Sequence, residues 1–524
     1  MRFSTEESSR PTDSARHPWA WLNRPLSPLE SFAGWLIALG AFVGVIALLG
    51  GVTEGDAAVG IYSTWAIAHG QLACAYPPAL YFHVPPIARP YTSITPFYPV
   101  FSGLLAALFR IGHQVPFPTA AQLGYHCGNA YDAIYRWSVR SSSALNTMRI
   151  GYVSGAVLLA GVVASLRAAG RGRRLNEPVT MLAVALSAPV VACLLEFYHP
   201  QDLVAMGLSL LAVAAALRQR WVWAGIAVGL AITTHQFALL VAAPLFVVAP
   251  ARRRWWFAGA TALAGAAVDL PFLLATSGRA FRAVVIGSGF TPSYGGTVLW
   301  EIGLRGAPFF LATRVLPIAV AFVLAWWVQQ RLGGRTIEPT VLVSLVGASL
   351  ALRLVFEENL WGYYFMALAV MLIMVESVRA RLRPTVVAWL LTVMLAFDPL
   401  PSGFQTNSTI WVIYARVDLP KIVVGLVALY VIVSFLRRRK RWFWLVWTIF
   451  AAVAFVHYPV IDVLAHHAWP TWLWQVLLVS SGLALVGAPG YGLLAELASS
   501  DEESRGIIEI GTPSTSDDTT SQIP

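Results

Sequence analysis

Long, almost uninterrupted apolar runs make up most of this chain, and short polar turns separate them. An α-helix of roughly 20 apolar residues is long enough to cross the hydrocarbon core of a bilayer. The runs that approach this length, about 14 in all, are 31–51, 149–167, 178–196, 202–217, 221–234, 236–249, 255–275, 307–330, 338–355, 361–376, 384–400, 419–436, 442–457 and 471–491. The pattern therefore predicts an all-α, polytopic membrane protein with about 14 transmembrane helices.

The composition supports this fold class and excludes others. Of the 524 residues, 57% are hydrophobic and only 12% are charged, whereas soluble domains carry about 25% charged residues. A soluble globular enzyme and a disordered chain are both excluded by these figures.

Basic residues are concentrated in the turns, and this concentration predicts the orientation of the chain. The net charge is +10, and the arginines cluster at 171–174, 218–220, 252–254, 379–383 and 437–441. Such clusters mark cytoplasmic turns, so membrane topology explains the excess charge and no nucleic-acid partner is expected. The same rule leaves residues 52–148 as one large external loop.

One further apolar run, 96–111, lies inside that loop. If it crossed the membrane, the arginines at 171–174 would face outside, against the charge rule. We therefore interpret 96–111 as a re-entrant or interfacial helix, broken by Pro96 and Pro99; a true span is the alternative. A second special feature is the short pair of runs within 221–249, which we interpret as a tight hairpin with its tip at 233–236.

The external loop begins with two carboxylates. Glu54 and Asp56 follow the first span directly, where a carboxylate can accept a proton from a substrate hydroxyl. The start of a solvated loop would have the same residues. Cys74 and Cys127 share this loop and either form a disulfide in an oxidising compartment or remain free thiols.

The order of motifs resembles that of a known enzyme superfamily. After Thr53-Glu54-Gly55-Asp56 come Tyr62, Trp65, His69-Gly70-Gln71, Tyr76-Pro77-Pro78 and Thr95-Pro96-Phe97-Tyr98-Pro99, and later Phe197-Tyr198-His199-Pro200-Gln201-Asp202. This order resembles the GT-C superfamily of integral-membrane glycosyltransferases, and within it family 87, the polyprenyl-phosphate-dependent mannosyltransferases. The chain departs from the family pattern in two places: Pro200 replaces a glycine, and His235 and Gln236 replace a lysine at the hairpin tip.

The resemblance implies a reaction and a set of site residues. A sugar is carried on polyprenyl phosphate, an acid of the first external loop acts as general base, and the lipid phosphate leaves. Asp56 is the first candidate for this base and Glu54 the second. Residues expected to bind the donor phosphate or the substrate are Tyr76, His199, Gln201, Asp202, His235, Gln236, Arg353, Glu357, Glu358 and Asn359. For Arg353 a simple ion pair with Glu357, four residues later, is the alternative.

The predicted organisation follows the GT-C plan. A cytoplasmic segment (1–30) precedes a transmembrane module (31–275), a more variable module (276–499) and a disordered acidic cytoplasmic tail (500–524). The expected location is the plasma membrane, with the active site on the extracytoplasmic side, and the arginine- and alanine-rich composition suggests an actinobacterial source.

The sequence gives weaker expectations for the sugar and the acceptor than for the type of reaction. The resemblance to family 87 implies mannose as the first choice of sugar and arabinofuranose, for an actinobacterial source, as the second, with a glycolipid or a cell-envelope glycan as acceptor. No metal site is expected from the motifs, although some GT-C enzymes use a divalent cation. The alternative functions are a transporter or flippase of a lipid-linked sugar and a catalytically inactive scaffold.

Overall fold

The computed structural model describes residues 20–49, 97–109, 143–195, 198–275, 308, 312–333, 336–356 and 362–379. These residues form α-helices with short 3₁₀ turns, and no strand occurs among them. The first six helices are α1 (Pro28–Leu49), α2 (Phe97–Phe109), α3 (Ser143–Ala168), α4 (Asn176–Ala185), α5 (Ala188–Leu195) and α6 (Pro200–Leu217). The next six are α7 (Trp221–Ile232), α8 (Leu239–Val248), α9 (Ala251–Ala275), α10 (Leu316–Leu332), α11 (Pro339–Phe356) and α12 (Met366–Val378).

Several of these helices have the length and apolarity of membrane spans. Within the described ranges, four qualify over at least 18 residues: Pro28–Ala47, Met148–Ala168, Pro200–Leu217 and Ala251–Ala275. Shorter apolar helices cover Trp221–Ile232, Gln236–Val248, Leu316–Leu332, Pro339–Arg353 and Met366–Val378. Over the described residues the predicted all-α class is confirmed, and the several apolar helices support the predicted multi-pass membrane character.

Two central helices, α3 and α6, are in close contact through glycine. The Cβ of any other residue at Gly207 would lie 2.6 Å from the carbonyl oxygen of Val157, and Gly161 packs equally closely on Gly207. Ser165 Oγ donates a hydrogen bond of 2.7 Å to the carbonyl of Leu210 across the same contact. Small residues allow backbones to approach closely where lipid provides no hydrophobic drive, so these positions fix the spacing of the bundle.

The expected tight hairpin over 221–249 is only partly correct. The chain does turn at Thr233–His235, but α7 packs mainly on α6 and α9, and α8 packs mainly on α10 and α11. Gly225 and Gly229 on α7 lie against the backbone of α9 at Phe257 and Thr261. The two arms therefore separate, because each finds a better packing partner than the other arm.

The predicted single span 178–196 is wrong in one respect, since two helices occupy it. Helix α4 ends at Ala185, residues 186 and 187 are non-helical, and α5 begins at Ala188. Pro189 explains the break, because proline lacks the N–H that would bond to the carbonyl four residues earlier and its ring clashes with that carbonyl.

A buried carboxylate, that of Glu177, holds three helices together at the end of the bundle where the arginine-rich turns lie. Glu177 accepts hydrogen bonds from Arg167 (2.8 Å), the backbone N–H of Arg173 (2.8 Å) and Ser31 Oγ (2.9 Å). Burial alone would raise the pKa of Glu177, but these donors outweigh it and lower the pKa. The ion pair connects α1, α3 and α4, and we call this end of the bundle the arginine end.

The remaining predictions about architecture concern residues outside the described part. They are the count of 14 spans, the carboxy-terminal spans from 384 onward, the acidic tail, the rest of the loop 52–148, and the Cys74–Cys127 pair. Helix α2 covers Phe97–Phe109 within the predicted loop, and the interpretation of 96–111 as a re-entrant or interfacial helix stays a prediction.

Candidate functional site

Polar side chains are buried together at the end of the bundle opposite the arginines, where α6 begins. His199 precedes the helix and Gln201 lies in its first turn; Gln201 Nε2 is 2.7 Å from His199 Nδ1. The His199 ring stacks on Tyr363 with a centroid distance of 4.3 Å. Pro200 occupies the first position of α6. A backbone N–H at this position has no partner within the helix, so proline costs no hydrogen bond there. We call this end the histidine end.

Asp202 and His235 form a pair in the middle of this cluster. Both are almost completely buried, and His235 Nε2 lies 3.3 Å from Asp202 Oδ1. His235 Nδ1 accepts a hydrogen bond from the backbone N–H of Phe237 at 3.3 Å. A ring nitrogen that accepts a hydrogen bond carries no proton, so the imidazole proton is on Nε2 and faces the carboxylate.

Two arginines bring positive charge to the same place. The guanidinium of Arg353 lies over the Tyr364 ring at 4.2 Å and the Phe237 ring at 5.2 Å. Arg314, at the start of the α10 region, acts electrostatically on His235 together with Arg353. Burial first, and then the charges of Arg353, His199 and Arg314, hold the pKa of His235 well below its usual range. His235 is therefore neutral, and the arginines are the cations of the cluster.

Helix α2, which lies within the predicted external loop, begins at this cluster. The backbone N–H of Phe97 donates to the carbonyl of Thr233 in the turn that carries His235, at 2.9 Å. The Tyr98 and Tyr198 hydroxyls are hydrogen-bonded to each other, and both side chains are buried. These contacts place the start of α2 beside His199 and His235.

The structure brings together predicted site residues from three separate parts of the sequence, namely the stretch with His199, Gln201 and Asp202, the turn with His235, and the helix end with Arg353. Gln236 is adjacent in the 3₁₀ turn Gln236–Ala238. The other predicted site residues lie outside the described ranges, namely Glu54, Asp56, Tyr76, Glu357, Glu358 and Asn359.

Arg314 and the aromatic surroundings of Arg353 are not among the residues predicted from the sequence. Arg314 falls inside the predicted span 307–330, and an ionisable residue inside a span is by itself a signal of function. Phe237 and Tyr364 have no comparable signal, since aromatic residues are common throughout apolar helices.

The chemistry of the cluster favours an anion rather than a metal ion. The cluster combines two arginines with one carboxylate and two imidazoles, and guanidinium is the side chain best suited to bind phosphate oxygens. Among the described residues, no three His, Cys, Asp or Glu side chains are arranged as metal ligands.

Comparisons with known proteins do not assign the chain to a family. No protein-family model matches the chain, and no curated protein matches it. A crystal structure of ArnT from Cupriavidus metallidurans in the apo state is similar over 89% of this chain and 78% of that chain, with 14% identity and a TM-score of 0.40. A TM-score of this size does not establish a common fold.

Proposed function

We propose that this protein is a membrane glycosyltransferase that transfers a sugar from polyprenyl phosphate to a glycolipid or cell-envelope glycan. One observation carries the proposal: the buried residues Asp202, His235 and Arg353 and the half-buried Arg314 come together at the histidine end, next to the start of α2. Buried ionisable groups in a membrane protein are expensive and mark substrate sites. The motif order that resembles the GT-C superfamily supports the same conclusion.

The arginines suit the phosphate of the donor. A phosphodiester carries one negative charge on oxygens that guanidinium binds with paired N–H donors. The aromatic rings beside Arg353 hold its guanidinium plane in one orientation, which reduces the entropy lost on binding. Because His235 is neutral, Arg353 and Arg314 take the role that a lysine has at the hairpin tip in family 87.

The reaction we propose is a displacement at the anomeric carbon. A carboxylate of the external loop, Asp56 in our assignment and Glu54 as the alternative, takes the proton of the acceptor hydroxyl. The acceptor oxygen then forms a bond to the anomeric carbon while the bond from that carbon to the phosphate oxygen breaks. The electron pair leaves with polyprenyl phosphate, whose added charge the arginines stabilise.

The proposal also includes the identity of the sugar and the side of the membrane on which the site lies. Mannose is the first donor to test and arabinofuranose the second. The positive-inside rule puts the arginine end in the cytoplasm, so the histidine end faces the extracytoplasmic side of the plasma membrane.

A transfer assay on purified full-length protein in nanodiscs tests the proposal. Wild type, Asp56→Ala and Glu54→Ala each receive polyprenyl-phosphate mannose or arabinose, with membrane glycolipid extract as acceptor. We expect labelled product from the wild type and a loss of about 100-fold or more in Asp56→Ala. Loss in Glu54→Ala alone would move the base to Glu54.

The same assay distinguishes the alternative function. If no donor gives product while the protein moves the lipid-linked sugar between leaflets of a liposome, the protein is a transporter or flippase. Absence of both transfer and movement would overturn both functions.

A further inference from the structure

A second site lies at the arginine end, far from the histidine cluster. Two turns, one between α6 and α7 and one between α8 and α9, enclose a groove of about 680 Å³. Its lining includes Arg220, Trp223, Arg252, Arg253 and Trp256. We call it the arginine–tryptophan groove. The proposed glycosyl transfer uses none of these residues.

The groove is strongly positive. Arg220, Arg252 and Arg253 are exposed, and within the described part of the chain no acidic side chain forms an ion pair with any of them. No aspartate or glutamate occurs in the sequence between Asp202 and Asp269. Three cations without local compensation create a field that attracts an anion.

Hydrogen bonds from arginine and tryptophan side chains hold the walls of the groove in place. Arg253 Nη1 donates to the carbonyl of Gln219 at 3.0 Å, which ties the two turns together. The buried Trp221 donates from its indole N–H to Gln219 Oε1 at 3.2 Å. Next to the groove, Arg254 donates to the carbonyls of Phe246 and Val247, at 3.0 and 2.7 Å. The groove is therefore preformed.

The apolar part of the groove is suited to lipid. Trp223 and Trp256 are 64% and 66% exposed, and α9, which begins at the groove, is the least buried of the four long candidate spans. Tryptophan is enriched where spans meet the headgroup layer. Arginines beside exposed indoles thus present one surface for a phosphate and another for acyl chains.

We infer that the arginine–tryptophan groove binds the phosphate headgroup of an anionic phospholipid from the bilayer leaflet at the arginine end. Basic pockets between transmembrane helices bind such headgroups on the cytoplasmic side. Arg220 and Arg252 contact the phosphate oxygens, and Trp223 and Trp256 pack against the glycerol and the upper acyl chains. This lipid is distinct from the polyprenyl donor, and the inference does not depend on the proposed transfer reaction.

The test compares two double variants that remove the same charge. Arg220→Gln/Arg252→Gln alters the groove, whereas Arg218→Gln/Arg331→Gln neutralises two other exposed arginines, neither of which lines it. Full-length protein in detergent is titrated with dioleoyl phosphatidylglycerol or dioleoyl phosphatidylcholine, and native mass spectrometry counts the bound lipid. Sodium phosphate is added in a separate series to distinguish a lipid from a soluble anion.

We expect the wild type to bind phosphatidylglycerol more tightly than phosphatidylcholine. The groove variant should weaken phosphatidylglycerol binding by about 30-fold, from two basic residues, and the control variant should leave it unchanged. Equal weakening in both variants would overturn the inference, as would equal binding of the two lipids or displacement of phosphatidylglycerol by sodium phosphate. Arg252→Glu, a single exposed substitution, gives an independent check, because a charge reversal should weaken binding at least as much.

Discussion

Each polar side chain of the histidine end depends on its neighbours because almost no water reaches it. His235 illustrates this dependence: its Nδ1 is occupied by a backbone N–H, and its Nε2 proton faces Asp202. Arg353, Arg314 and His199 are the other charged or titratable groups that act on it. Protonation of His235 would place a second proton on Nδ1, against the Phe237 N–H, and would add a positive charge beside two arginines.

This arrangement predicts acid sensitivity. Because the pKa of His235 is lowered on folding, the unfolded chain binds a proton that the folded chain does not. Stability should therefore be full above the unfolded pKa of about 6.5 and should fall as the pH drops through it. In thermal unfolding between pH 7.5 and 5.5, His235→Gln should show a smaller decrease in Tm than wild type. An equal decrease in both proteins would assign the sensitivity to another group.

Glu177 gives a second prediction, at the arginine end. Glu177→Gln leaves Arg167 with a weaker partner for its charge, and we expect a loss of about 2 kcal/mol, less than for a fully buried pair because Arg167 is partly exposed. The pKa of Glu177 is lowered, so its contribution is present above about pH 4.3 and is lost as the pH falls below it.

Glu30→Gln is the matched control for this change. Glu30 pairs with Arg24 at the exposed surface and caps the start of α1 together with Ser27, a role that glutamine also performs. Its thermal unfolding should remain close to that of wild type. An equal loss in both variants would contradict a special role for Glu177.

At the scale of the elements, the crossing of α3 and α6 depends on glycine. Gly207→Ala would put a Cβ within 2.6 Å of the Val157 carbonyl oxygen, and the helices would have to separate. We expect a loss of about 1–3 kcal/mol, measured as a lower Tm. Gly40→Ala on α1 is the matched control because a Cβ there meets nothing within 4 Å; its Tm should be unchanged or higher. Equal effects would show that the crossing is not tightly packed.

The sequence predicted the existence of these elements better than their partners. Apolar runs marked most of the helices because burial in lipid requires them, and Pro189 could have indicated the break between α4 and α5. Nothing in the local pattern of 221–249 indicated that α7 and α8 would separate, because that outcome depends on the surfaces of α6, α9, α10 and α11.

For the candidate site, too, individual residues were easier to predict from the sequence than their arrangement in space. His199, Asp202 and His235 were predicted because the motifs that contain them resemble the pattern of the GT-C superfamily. Their convergence was not predictable, since it depends on how α6 packs beside the turn after α7. Arg314 was not predicted because the apolar pattern of 307–330 does not show which side of the bundle each of its residues faces.

At the scale of the whole molecule, the two ends of the bundle have different chemistry. The arginine end is held by the Glu177 ion pair and is positive at its surface, whereas the histidine end buries its polar groups and receives the start of α2 from the loop.

The most direct test of this account is the dependence of glycosyl transfer on donor concentration. Wild type, Arg353→Gln and Arg331→Gln would be compared with a polyprenyl-phosphate sugar; Arg331 also lies over an aromatic ring, Trp327 at 5.3 Å, but outside the cluster. We predict that Arg353→Gln raises KM for the donor by about tenfold or more, since a charged contact to phosphate is lost, and that Arg331→Gln leaves KM unchanged. No transfer by the wild type from any such donor, or the same KM in all three proteins, would contradict the account.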